Sequence, residues 1–285
     1  MGGCLGKKGG PSTKEVAGYQ NVRKHKGSRE ATWQQTGIVG LVDARLNALP
    51  AAVYRLGSVA TVVNATNNSI STLSPEIGSL TALKKLHLGH NSLATLPAAL
   101  ASCTKLQLLD LSYNRALAAL PDGLAALAQL RTLKLRGCAL RALPDSIGAL
   151  RELQSLDVSD QEGRALRSLP DSIGGCANLE ELLCGNNSIE VLPVAIGRLQ
   201  RLKTLDVRNN HVTEVSGDIL SHCGALQLIN LHDNPISAAV FVQTPGYAEF
   251  EARRKQRFDK VIEGGALLGP SGLDEGFKRD LKPQG

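Results

Sequence analysis

Six cysteines, six histidines and 26 carboxylates are the side chains from which this chain could assemble a nucleophile, a general base or a metal site. Their spacing assembles none of these. Covalent chemistry needs a nucleophile, a base and an orienting group in one place, and a metal needs a convergent set of ligands. His87 and His90 are three apart, but on a strand followed by a turn their rings need not converge. No two cysteines have C-x-x-C spacing, and no P-loop, G-x-S-x-G or H-E-x-x-H run occurs. An enzyme, a cofactor and a metal are therefore not expected.

Two residues invite acyl chemistry instead. The chain begins Met-Gly-Gly-Cys-Leu-Gly-Lys-Lys. Once Met1 is removed, Gly2 offers the amine that N-myristoylation uses, and Cys4 beside it is a palmitate acceptor. Gly6 stands where Ser or Thr is usual. One myristoyl chain holds a membrane only marginally. A second chain on Cys4, or the basic set Lys7, Lys8, Lys14, Arg23, Lys24 and Lys26, would supply the second signal.

The remaining polar residues follow a period. Leu83 to Pro97 reads L-x-x-L-x-L-x-x-N-x-L-x-x-L-P, and the phrase recurs along most of the chain. Its anchors are Thr36, Ala60, Leu83, Leu106, Leu130, Leu153, Leu179, Leu202 and Leu226, with gaps of 24, 23, 23, 24, 23, 26, 23 and 24 residues. This is the leucine-rich repeat signature. The fold class expected is an α/β leucine-rich repeat solenoid, a curved arc with parallel strands on the concave face and short helical or 3-10 turns on the convex face. One unit cannot bury its apolar face alone, so units must stack.

Each letter of the phrase has a physical reason. Leu109 and Leu111 alternate with Asp110, the period-two pattern of a half-buried strand. Asn114 then sits where the chain turns away, able to bond backbone groups left unpaired inside. Asn68, Asn91, Asn187, Asn210 and Asn234 hold the same place and should form a ladder, with Cys138 and Gln161 replacing it in two repeats. Leu-Pro opens the return limb, and a short helical turn is expected to begin after Pro, which tolerates a first-turn position. Insertions at Arg115-Ala116, at Gln161–Ala165 and near Ser221-His222-Cys223 are expected as bulges at the edge of the strand wall.

The residues between and beside the buried leucines form the expected protein-binding face: Lys85, His87, His90, Asp110, Tyr113, Lys134, Arg136, Asp157, Glu181, Asp206, Arg208 and His232. Asp110, Lys134 and Asp157 should make an alternating-charge row flanked by Arg136 and Arg208.

Charge separates the tails from the repeats. Residues 1–30 hold seven Lys/Arg against Glu15 and Glu30, whereas residues 31–248 hold 17 of each sign. A basic nucleic-acid face is therefore not expected, and a basic tail beside an anionic membrane fits. Cys103, Cys176 and Cys223 each lie three residues before an anchor, Cys184 replaces a strand leucine, and all read as small core residues. No cap disulfides are visible, which points to a reducing cytoplasmic compartment, with association at the cytoplasmic face of a membrane through the N-terminus.

The organisation expected is a flexible basic tail over 1–30, about nine repeats over 31–240, a capping helix over 241–263 and a mobile tail over 264–285. Trp33 should cover the open end of the leucine column. Tyr247, Phe250, Arg254, Phe258 and Ile262 step by three and four, giving a helix stripe that covers the last repeat while Arg253, Lys255 and Arg257 stay wet.

T-G-I-V-G-L-V-D-A-R-L opening the repeats, L-H-D-N-P-I-S closing them and E-F-E-A-R-R-K-Q-R-F-D-K in the last helix resemble the leucine-rich repeat-containing protein 57 family, in its plant and algal style. The broader class includes plant intracellular Ras-group-related repeat proteins. The resemblance implies a non-enzymatic, cytosolic module that binds protein, and a monomer is expected. Within that class the expected function is an adaptor using the concave face in signalling at a membrane. The alternatives are a regulator of a small Ras-like GTPase or a phosphatase, and a structural component of a larger, for example cytoskeletal, assembly.

Overall fold

The computed structural model describes residues 26–263, with side chains from 29 to 256. Nine three-residue strands lie in one unclosed parallel sheet in chain order: β1 (Ile38–Gly40), β2 (Val62–Asn64), β3 (Lys85–His87), β4 (Leu108–Asp110), β5 (Thr132–Lys134), β6 (Ser155–Asp157), β7 (Glu181–Leu183), β8 (Thr204–Asp206) and β9 (Leu228–Asn230). Their register matches the repeat phrase, so that Leu86, Leu109, Leu133, Leu156, Leu182 and Leu205 form one column with no exposed surface. Leu88, Leu111, Leu135, Val158, Cys184 and Val207 form a second buried column beside it. Each leucine is covered only because its neighbours above and below are present.

The return limbs are five-residue 3-10 turns in six repeats, from Pro75–Ser79 to Val194–Arg198. Their third residue, such as Leu124, Ile147 or Ile173, points into the core. The turns begin after proline, as expected. Pro97, Pro121, Pro144, Pro170 and Pro193 each precede the turn in extended conformation. The Pro97 carbonyl accepts from the Leu100 N–H at 3.0 Å, which opens the turn. Proline fits because its fixed φ suits the extended entry and the residue needs only its carbonyl there. Pro75 alone sits at the start of its turn, behind Ser74, whose hydroxyl accepts from the Glu76 N–H at 3.2 Å. The turns pack shoulder to shoulder: a Cβ on Gly148 would lie 2.2 Å from the Ser172 carbonyl oxygen.

The insertions divide. Arg115-Ala116 and Gln161–Ala165 do project beyond the strand ends, and their Arg115 and Glu162 side chains approach to 3.8 Å. The third does not. The extra residue near His222 lengthens the return turn into a six-residue α-helix, α3 (Gly217–His222), capped by Ser216 where five of the 3-10 turns have proline.

Both ends differ from expectation. Helix α1 (Lys26–Thr36) begins inside the segment expected to be a flexible tail. It lacks apolar periodicity except at Trp33, which is buried against the first repeat, and the Gly37 N–H closes on the Trp33 carbonyl at 2.8 Å. A short helix α2 (Ala51–Tyr54) serves the first return limb. At the other end the expected single cap is two helices, α4 (Ala238–Val242) and α5 (Tyr247–Glu263). Phe241 meets Tyr247 and Phe250 edge-on at 5.4 and 6.3 Å. Arg253 is not a wet residue. Its guanidinium donates to the Leu220 carbonyl at 2.6 Å and the Leu226 carbonyl at 3.4 Å, carbonyls the solenoid's end leaves open. The side chains of Arg257, Phe258 and Ile262 lie outside those described, as do residues 1–25 and 264–285.

Candidate functional site

The strand wall is held flat from behind by the ladder. Asn114 Nδ2 donates to the Leu88 carbonyl at 3.0 Å and the Leu111 carbonyl at 2.7 Å, while its Oδ1 accepts from the Leu93 N–H at 2.9 Å. Asn68, Asn91, Asn210 and Asn234 repeat this pattern across neighbouring units. Gln161 reproduces it with its longer arm, taking the Leu140 N–H and giving to the Leu135 carbonyl. Cys138 donates to the Leu111 carbonyl at 3.3 Å and has no amide oxygen to take the bond an asparagine would accept from the neighbouring repeat. Asn187 donates to the Val158 and Cys184 carbonyls, both at 2.9 Å, but no donor reaches its buried Oδ1.

On the front, the structure brings most of the expected face together. Lys85, His87, Asp110, Lys134, Asp157, Glu181 and Asp206 lie in the strands, and Arg136, Arg208 and His232 lie two residues beyond them. Asp110, Lys134 and Asp157 are register neighbours. Lys134 is exposed and makes no ion pair among the described residues. The flanking arginines pair elsewhere: Arg136 with Asp160 at 2.6 Å, and Arg208 with Asp206 at 3.6 Å.

The carboxylates carry a second duty that spacing did not reveal. Asp110 Oδ1 accepts from the Ser112 N–H at 3.0 Å, Asp157 from the Ser159 N–H at 3.0 Å and Asp206 from the Arg208 N–H at 3.1 Å. Asn64 and Asn230 do the same in their repeats. Each side chain thus caps the bend that ends its own strand. Burial raises the Asp206 carboxyl above its ordinary value, and the nearby Asp157 and Asp160 add to the shift against the pull of Arg208. Leu183, half-buried, sits in register between Asp157 and Asp206, an apolar spot inside this acidic stretch.

His90 and Tyr113 are not on the wall. They occupy the turn, with φ of 55° and 60°, one residue before the ladder position. Asp43, Asn67, Gly137, Asp160, Asn186, Asn209 and Asp233 hold the same place with the same left-handed backbone. Asn, Asp and Gly dominate because they tolerate that conformation, a signal visible in the sequence that the leucine period overshadowed. Their side chains link along the edge. The His90 and Tyr113 rings stack at 4.4 Å, and Arg136 lies 6.0 Å from the Tyr113 ring centre. Asp160 accepts from Asn186, and Asn186 accepts from Asn209 at 2.7 Å.

Gly2 and Cys4 lie outside the described residues. Cys103, Cys176 and Cys223 occupy one buried position, and each thiol donates to a carbonyl of the preceding turn at 3.0 to 3.3 Å. Among the described residues no group of three or more His, Cys, Asp or Glu could hold a metal ion. No helix there is long and apolar enough to cross a membrane.

Comparison with known proteins agrees with this geometry. The leucine rich repeat family model matches residues 61–116 and 177–236. Two curated rice (Oryza sativa subsp. japonica) proteins are similar. Plant intracellular Ras-group-related LRR protein 7 is 50% identical over 60 residues, 21% of this chain and 23% of that protein. Protein 8 of that name is 34% identical over 134 residues, 44% of this chain and 35% of that protein. The chain therefore spans about a quarter to a third of the curated relatives it matches. Among solved structures, internalin C2 of Listeria monocytogenes superposes with a TM-score of 0.55 at 23% identity, over 68% of this chain and 80% of that one. The Drosophila Toll–Spatzle complex gives 0.53 at 19% identity, over 68% of this chain and 29% of that one. At those identities the likeness is one of fold. By strand order, ladder and repeat, the chain is a leucine-rich repeat solenoid, similar over part of its length to the plant intracellular Ras-group-related proteins.

Proposed function

We propose that this chain is a non-enzymatic scaffold that docks a protein partner on its strand wall. The observation that carries this reading is the centre of that wall. There Lys134 stands unpaired between Asp110 and Asp157, and Leu183 stands half-exposed between Asp157 and Asp206. A rigid row of charges with one apolar anchor suits a polar protein surface that contributes an aliphatic side chain and alternating charge. The general use of leucine-rich repeats as protein-interaction scaffolds supports it.

The test is affinity capture from native lysate with wild type, a Lys134→Glu/Leu183→Glu variant and a control at Arg167→Glu, an exposed residue outside the strands. A partner held by wild type and control but lost from the double variant is the expected result. Identical partner sets for all three proteins would move docking off the strand wall.

The names of both rice relatives favour one partner class, a small Ras-like GTPase. Pull-down with such a GTPase in its nucleotide-triphosphate form checks this, and equal recovery by wild type and double variant would count against it. Acylation at Gly2 and Cys4 is part of the same proposal and would keep the scaffold on a cytoplasmic membrane face. A Gly2→Ala chain should then shift from membrane to soluble fractions, and unchanged fractionation would remove the tether from the model.

A further inference from the structure

The repeat region is neutral in sum, but the fold sorts its charges. Acids occupy the first turn of the short convex helices at Glu76, Asp122, Asp145, Asp171 and Asp218, where the peptide dipoles favour negative charge. Cations gather on the segment leading from the end of each turn to the next strand. Lys84, Lys105, Arg131, Arg151, Arg198 and Arg201 all lie there, and all six are exposed. None of the six is in an ion pair among the described residues. Arg55 and Lys203 share the edge, and Lys203 pairs with Glu180 at 2.6 Å. Against these eight cations the edge carries only Glu152 and Glu180.

The strands beside Lys84 and Lys203 are β3 and β8 of an unbroken parallel stack, so the main stripe runs about 24 Å at ~4.8 Å per strand. Neighbouring cations fall within about one Debye length of each other at ~0.1 M salt, where they repel. A surface of opposite charge relieves that repulsion. The edge is the flank of a stack of parallel strands. No exposed aromatic lies among the cations to stack on a base, Tyr54 being buried. A flat, closely charged anionic surface fits such a flank better than a nucleic acid does.

We propose that this edge rests on an anionic lipid bilayer, which stands the strand wall upright from the membrane with its docking face open sideways. The basic residues of the N-terminal segment, Lys7, Lys8, Lys14, Arg23 and Lys24, add charge of the same sign. The inference depends neither on acylation nor on the docking proposal.

The test uses the full-length, unacylated chain in co-sedimentation with phosphatidylcholine vesicles, with and without phosphatidylserine. Wild type should bind only the anionic vesicles and release as salt rises. Lys84→Gln/Lys105→Gln/Arg131→Gln/Arg151→Gln should lower partitioning about tenfold or more. A matched variant, Lys85→Gln/Lys134→Gln/Arg136→Gln/Arg208→Gln, removes the same charge from the strand wall and should stay within about twofold of wild type. Unchanged thermal midpoints would exclude misfolding for the edge set, whose four side chains are exposed. Equal losses from both variants, or no binding by wild type, would overturn the proposal. Vesicle binding unchanged in the edge variant, with loss of a single-stranded RNA oligonucleotide instead, would overturn it in favour of nucleic acid. Capture of a protein partner by the edge variant but not by the wall variant keeps the two proposals separable.

Discussion

The Leu117 N–H donates to the Asn114 carbonyl at 2.9 Å. The residue inserted at Arg115-Ala116 makes this local bond possible, and it serves the amide that the next ladder residue would otherwise take. That next residue is Cys138, which has a donor to give the Leu111 carbonyl but no carbonyl of its own to offer. The cysteine is thus tolerated because the preceding bulge has removed half of its task. Asn210→Ala, which strips the partner from the Ile189 N–H and several carbonyls, should cost about 2–4 kcal/mol. Cys138→Ala should cost about 1 kcal/mol. Urea unfolding of the two variants checks the order, and equal losses would contradict the account.

The buried thiols should titrate late. Burial pushes Cys103, Cys138 and Cys223 up to about 11 and Cys176 to about 12, and raises Cys184 further. An unfolded thiol titrates near 9.0. Raised acids contribute stability that is complete below the unfolded value and is lost as pH climbs toward the folded one. Stability should therefore fall between about pH 9 and 11. At pH 8 these five thiols should resist alkylation until denaturant is added, as mass spectrometry of iodoacetamide-treated protein would show.

Asp206 should be replaceable at a small profit in stability. Its carboxyl is raised mainly by burial, so its charged form weakens the fold as pH rises through the raised value, and protonation relieves this. Asn keeps an oxygen for the Arg208 N–H, as Asn64 and Asn230 do in their own repeats. Asp206→Asn should gain a few tenths of a kcal/mol at pH 7, and the gain should vanish toward pH 4. Thermal melts across that range decide it. A loss at neutral pH would mean that the Arg208 pair outweighs burial.

The C-terminal cap should depend on one cation and one ring. Arg253→Ala leaves the Leu220 and Leu226 carbonyls without their donor and should cost about 1–3 kcal/mol. Phe250→Ala empties a buried site beside Phe241 and should cost about 3–5 kcal/mol. Hydrogen exchange should localise both losses to the last repeats, with the amides of β3 to β5 unaffected. Uniform loss along the stack would contradict a local cap.

The solenoid was legible in the sequence because nine recurrences of one phrase leave few alternatives, and the ladder was legible because asparagine recurs at one place in the phrase. Helix α1 escaped notice because a single buried Trp33 supplies no period. Arg253 read as a surface charge because the carbonyls it serves belong to a different repeat, 27 and 33 residues away. The paired carboxylates of the wall were found, but not their bonds to the amides two residues on. The charged edge was hidden for a simpler reason: a tally of both signs cancels what the coil of the chain pulls apart.

The unmet Oδ1 of Asn187 has a consequence for how the stack comes apart. Most ladder junctions between repeats carry a bond in each direction; at Cys138 and Asn187 the side chain only gives, and of these two only Asn187 also buries an acceptor that nothing meets. In a one-dimensional array, cooperativity passes solely through such junctions. Breaking begins where coupling is thinnest, so the sixth and seventh repeats mark the seam. Under load or heat, the units up to β6 and those from β7 onward would behave as two folding blocks joined by a softer coupling.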